Sequence, residues 1–376
     1  MNYKKLGDYI QEVNIRNRDL NVDKLLGVSI QKEMIISIAN TVGTDMSTYK
    51  VIKKGQFAYG PVTSRNGDKI SVALQNKYDQ AIISQVYISF EVIDENLLLP
   101  EYLMMWFRRP EFDRYARFKS HGSAREIFDW TEMCNIELPI PSIEKQREIV
   151  AEYNALQKRI DLNNQLIQKL EETAQTIYKQ WFVDFEFPDE PQRSLSEFIE
   201  LNPIHNMVRD QEYPYIEMAD LSETSMCISN KITRKYGGGS KFRNGDTLLA
   251  RITPCLENGK TAFVSILERG EIAFGSTEFI VMRAKKNVSP FWVYCLAKDE
   301  SFRSYAISSM IGSSGRQRVH DKYLNEFKLA NFSKEAMISF NNNVKPVFES
   351  IHTIHAENSL LKKLLLIVLS KMSRIV

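Results

Sequence analysis

The residues best suited to chemistry in this 376-residue chain are cations in clusters, not the spaced nucleophiles and carboxylates of a catalytic centre. There is no GxxxxGK[ST] phosphate loop, no GxGxxG after a strand, no HExxH and no PD…ExK nuclease pattern. Asn202-Pro203 runs on into Ile204 and His205, so the Asn-Pro-Pro-aromatic string of amino-methyltransferases is absent. His352 and His355 stand three apart with no carboxylate or Cys placed to complete a metal site. The reading is of a chain without a catalytic or metal site of its own. The four Cys have no CxxC spacing, which points to free thiols in a reducing cytoplasm.

The cations recur. Arg108, Arg109, Arg114, Arg117, Lys119 and Arg125 fall in one stretch against Glu111 and Asp113, and Arg316, Arg318 and Lys322 hold the corresponding place further on. Basic clusters on loops suit phosphate contact, and Arg also reads guanine bidentately. Lys54, Arg65, Asn66 and Lys69 in the first half, and Arg234, Lys235, Lys241, Arg251 and Ser314 in the second, complete the candidate DNA-contact set with Arg117, Lys119, Arg125, Arg316 and Arg318. A solvated charged face is the plain alternative for such runs. Gly237-Gly-Gly239 suits either a close backbone approach or a flexible turn. Net charge is +2 and the pI about 8.1, so any nucleic-acid surface is local. Trp106, Phe112, Tyr115 and Trp130 are spaced as packing residues.

Such loops need elements to hold them. Ile149, Tyr153, Leu156, Ile160, Asn163, Ile167, Leu170, Ala174, Ile177 and Trp181 step by four and three, the seam of a long helix. A second seam runs Phe340, Val344, Val347, Ile351, Ile354, Asn358, Leu361, Leu365, Val368, Met372, Ile375. Laid antiparallel, Ile149 meets Met372, Ile160 meets Leu361, Trp181 meets Phe340, and Asn163 meets Asn358. A one-heptad slip turns each Asn onto hydrocarbon at a cost of about 1–3 kcal/mol, so the two Asn select the register. The alternative is that each Asn tolerates a wet or frayed site.

The chain also repeats itself about 190 residues apart. Leu6–Ile10 resembles Leu195–Ile199, Pro100 matches Pro290, and Gly122–Arg125 resembles Ser313–Arg316. Strands are expected at Met34–Ala39, Lys69–Leu74 and Ala81–Ile93, then at Asp246–Ile252, Thr261–Ile266 and Glu278–Arg283. Helices are expected over Pro100–Phe118, near Glu126–Met133, and over Pro290–Ser308, with Ser142 and Ser333 capping the long ones. The expected class is α+β: two similar globular domains (1–141 and 188–332), each followed by a long helix (142–187 and 333–376). The helices pair as an antiparallel coiled coil that separates the domains in a pseudo-twofold arrangement.

Leu138-Pro-Ile-Pro-Ser-Ile-Glu-Lys-Gln-Arg-Glu-Ile149, a heptad helix and Trp181-Phe-Val-Asp-Phe185, on a duplicated plan, together resemble the specificity subunit of type I restriction–modification enzymes. The second copy departs, with Ala330-Asn-Phe332 for the prolines and Met337 for Gln146. The resemblance implies two target recognition domains, each reading half of a split double-stranded DNA target. It implies paired helices that fix the gap and dock two methyltransferase subunits, with restriction and translocase subunits joining them. S-adenosylmethionine, ATP and Mg would belong to those partners, and this chain would be non-catalytic. A coiled-coil scaffold whose globular domains bind proteins is the competing expectation. Met1–Asp8 is polar and the longest apolar run, Leu364–Leu369, is too short to span a membrane, which points to a cytoplasmic protein.

Overall fold

The structure, a computed structural model, describes residues 3–39, 42–64, 66–67, 69–121, 126–184, 191–313 and 315–374. Contacts divide the chain into two compact units, Met1–Ile160 with Leu360–Val376, and Asp161–Ser359.

The first unit holds two four-stranded sheets. One runs Ile10–Val13, Ile88–Val92, Phe57–Tyr59, Val72–Leu74, antiparallel throughout. The other runs Met34–Ile36, Leu25–Val28, Gln80–Ile83, Lys50–Lys53, with one parallel pair in its centre. The second unit repeats both orders. Its first sheet is Ile199–Leu201, Phe279–Ala284, Thr247–Ala250, Thr261–Phe263. Its second is Ile232–Lys235, Glu212–Ile216, Ile272–Gly275, Ser240–Arg243, again with the central pair parallel. A two-stranded ribbon closes each unit: Tyr3–Lys5 with Glu137–Pro139, and Arg193–Ser194 with Lys328–Leu329. The duplication read from scattered matches is therefore a duplication of topology.

Several boundaries differ from expectation, for local reasons. Ala81–Ile93 is not one strand. The polar Ser84-Gln85 interrupts its apolar residues at a turn, closed by Tyr87 N–H to the Ser84 carbonyl at 3.1 Å, and the chain changes sheet there. Pro100–Phe118 is two helices, Pro100–Phe107 and Pro110–Lys119. Arg109 precedes a proline and is extended at ψ 137°, which ends the first helix. Pro290–Ser308 breaks likewise into Pro290–Lys298 and Glu300–Ser308, where Asp299 caps Ser301 and Phe302. Strands Leu25–Val28, Phe57–Tyr59 and Glu212–Ile216 were not expected; they are short and carry little alternation.

The long helices run Ile143–Phe182 and Lys334–Lys371. In the first unit Ile149, Tyr153 and Ile160 share one core cluster with Leu365, Val368 and Met372. In the second, Ile167 and Ala174 share one with Val344 and Ile351. The order is antiparallel, in the expected register. Ser142 and Ser333 accept from Lys145 and Ala336 N–H, at 3.4 and 3.0 Å.

Candidate nucleic-acid interface and helix register site

The register site lies within the second unit. Asn163 Nδ2 donates to Asn358 Oδ1 at 2.9 Å, and both side chains are buried. Two neighbours were missed in the sequence: Asn163 Nδ2 also donates to Glu357 Oε2 at 3.0 Å, and Asn358 Nδ2 donates to Asn164 Oδ1 at 2.9 Å. Asn164 and Glu357 lie one place off the seam, so the 4-3 rhythm did not mark them. Both Asn163 amide protons and one from Asn358 thus have acceptors, which lowers the penalty of burying the two amides.

Within each unit, polar side chains tie the segments of the long helices to the globular part. Gln146 is fully buried; its Oε1 accepts Leu99 N–H at 2.9 Å, and its Nε2 donates to the carbonyls of Leu97 and Pro141 at 2.8 and 3.0 Å. In the second unit Met337, buried at 2 % exposure, stands in the matching sequence place, and Ser289 Oγ bonds Asn341 Oδ1 at 2.9 Å nearby. Glu171 forms a second tie: its Oε1 accepts from Ser225 Oγ and Met226 N–H at 2.9 and 2.8 Å, and its Oε2 from Tyr294 OH at 3.0 Å. Burial pushes the Glu171 carboxyl above its ordinary value, against the pull of those donors and of Lys298.

The basic cluster of the first unit is largely ion-paired. Arg117 pairs with Glu126, Lys119 with Glu132 at 3.4 Å, and Arg114 with Glu111 at 3.4 Å. Arg109 is buried, with its guanidinium 4.1 Å from the Trp106 ring centroid. Trp106 and Phe112 are core residues, with Tyr115 and Trp130 packed against them. Lys54 and Lys69 are exposed, and Asn66 donates to the Val62 carbonyl at 3.3 Å. Arg65, Arg125 and Ser314 lie outside the described residues.

In the second unit the cations gather on one face of the sheet that holds Glu212–Ile216. The inward face buries Ile216, Phe242 and Ala273. Alternation turns Tyr213, Tyr215, Arg234, Lys241 and Phe274 the other way. Arg234 lies over the Tyr215 ring at 4.8 Å and Lys241 over Tyr236 at 5.1 Å, while Tyr236 meets Phe274 edge-on at 5.1 Å. Lys241 also donates to the His205 carbonyl at 2.7 Å, and Lys235 is exposed. A cleft of about 490 Å³ opens here between Tyr215, Arg234, Gly237, Gly238 and Thr277, with no carboxylate in its lining. Gly239, at φ +126°, is required: a Cβ there would stand 2.1 Å from the Gly275 carbonyl oxygen. Cations held over aromatic rings beside a carboxylate-free cleft suit contact with nucleic-acid phosphates.

Arg251 and Arg318 converge on Glu278, at 4.0 and 2.7 Å. The Arg318 guanidinium holds the Glu278 carboxyl below its ordinary range. Arg316 is exposed. Among the described residues, no group of three or more His, Cys, Asp or Glu could hold a metal. No helix among them is long and apolar enough to cross a membrane.

The family model for the type I restriction modification DNA specificity domain matches residues 32–172. Over part of its length the chain is similar to type I restriction enzyme specificity subunits. It is 30% identical over 151 residues to the HindI specificity subunit of Haemophilus influenzae, covering 40% of this chain and 32% of that one. It is 34% identical over 143 residues to the EcoAI specificity subunit of Escherichia coli, covering 36% and 24%. The matched part thus spans about a third of the first relative and about a quarter of the other. A solved type I restriction–modification S subunit from M. genitalium aligns over 99% of this chain and 96% of its own, with a TM-score of 0.57. At 11% identity that likeness is one of fold.

Proposed function

We propose that this chain is the DNA sequence-specificity subunit of a type I restriction–modification complex. Each unit reads one half of a split double-stranded target. The paired helices set the non-specific gap and dock two methyltransferase subunits; restriction and translocase subunits complete the assembly. S-adenosylmethionine, ATP and Mg serve the partners, and this chain supplies recognition without catalysis. The observation that carries the reading is the repeated sheet order, each copy followed by a long helix, in a chain whose residues 32–172 match a DNA specificity domain.

Phosphate contacts would come from the cation–aromatic face of the second unit, and base contacts from its loops. Selection from a random duplex pool, with a co-expressed methyltransferase subunit, tests this. Enrichment of a bipartite motif with salt-sensitive affinity is expected; no enrichment at any salt would contradict it.

A further inference from the structure

Arg318 stands in the middle of a small backbone ladder that both units build. In the second unit Ile311 and Arg318 exchange both backbone hydrogen bonds at 2.9 Å. Thr253 N–H donates to the Gln317 carbonyl at 3.1 Å, and Val319 N–H to the Arg251 carbonyl at 3.0 Å. The first unit repeats the set: His121 and Ile127 exchange bonds at 3.1 and 2.9 Å, Thr63 N–H donates to Glu126, and Phe128 N–H to Pro61, at 2.9 and 2.8 Å. Arg318 and Ile127 are therefore the same position on two copies of one backbone. Both side chains reach solvent, at 39% and 43% exposure.

The Arg318 side chain is fixed as firmly as its backbone. Nε lies 3.0 and 2.9 Å from the two Glu278 oxygens, and Nη2 lies 2.7 Å from Oε1. One edge of the planar guanidinium is thereby used. A guanidinium carries five N–H groups in two forks, so the Nη1–Nη2 edge keeps its donors. That fork has the spacing of guanine O6 and N7.

We propose that Arg318 is a base-reading residue whose Nη1–Nη2 edge donates to O6 and N7 of a guanine in one half-site, with Glu278 as the positioning residue that aims it. This rests on the DNA-specificity reading above. A side chain held at both backbone and head group has little rotamer freedom left to lose on binding. Ile127 presents an apolar surface at the matching place, so this guanine requirement belongs to one half-site only.

The test is selection from a random duplex pool with the full chain and a co-expressed methyltransferase subunit, for wild type, Arg318→Lys, Arg318→Ile and Glu278→Gln, with thermal melting of each. The wild type is expected to fix a G·C pair at one half-site position. Arg318→Lys and Arg318→Ile lose that preference about ten- to a hundredfold and keep the rest of the motif. Glu278→Gln weakens the same position by a smaller factor. If Arg318→Ile does not fold, Arg318→Lys, which keeps the charge facing Glu278, decides. An unchanged guanine preference in a folded Arg318 variant, a uniform loss across all positions, or a motif without a fixed G·C overturns the assignment. Absence of any bipartite enrichment by the wild type would instead remove the DNA-specificity reading, and this proposal with it.

Discussion

Asn163 Nδ2 donates to Asn358 Oδ1 across 2.9 Å, and neither side chain is more than 3% exposed. A polar pair at one seam position fixes which heptads face each other, because every other apolar register strands both amides. Asn163→Leu alone should cost about 1–2 kcal/mol, since Asn358 keeps Asn164 as a partner but loses its donor. The double Leu variant should recover that loss and give up register selection. Urea unfolding of the two singles and the double checks this; simple additivity would show that the pair is not coupled.

Glu171 links the first long helix to the second unit's globular part through Ser225, Met226 and Tyr294. Glu171→Ala leaves a buried N–H and a buried hydroxyl unsatisfied, a loss of about 2–4 kcal/mol, whereas Glu171→Gln keeps the acceptor for Ser225 and Met226. Its folded carboxyl titrates above the ordinary value, so the folded state binds that proton more tightly than the unfolded chain. This contribution to stability falls as pH rises from the ordinary value through the raised one, then levels off. The melting difference between wild type and Glu171→Gln should shrink or reverse over that window; a difference independent of pH would contradict the assignment.

The cation–aromatic face gives a salt signature. Arg234→Ala and Lys241→Ala should weaken binding uniformly across DNA sequences. Each should reduce the slope of log affinity against log salt by about one. Titration of duplex binding at several salt concentrations reads this directly, and an unchanged slope places both cations outside the phosphate contacts.

How much the sequence disclosed depended on how far each signal extended along the chain. The seams were legible because ten or more residues obey one period, and the two Asn stood out as interruptions of it. The Gly122–Arg125 resemblance to Ser313–Arg316 stands just ahead of Ile127 and Arg318 in the sequence. Short strands such as Phe57–Tyr59 are buried on both faces and show no alternation, so nothing distinguished them from loop. The cation–aromatic face was hidden because Tyr215, Phe274 and Lys241 are brought together by pairing of strands distant in the chain. Arg117 and Lys119 drew attention as a run of charge, yet their partners Glu126 and Glu132 lie beyond the helix that carries them. Gln146 was visible only as one letter of a motif; the backbone groups of Leu97 and Leu99 that it satisfies sit almost fifty residues earlier.

The central claim is that the helix pair sets the distance between two half-sites. Adding one heptad to each long helix, in register, lengthens the rod by about 10 Å at 1.5 Å per residue, or about three base pairs of duplex. Methylation mapping of cells carrying the lengthened chain is expected to show the same two half-sites with a gap about three base pairs longer. An unchanged gap, with methylation intact, would contradict the account.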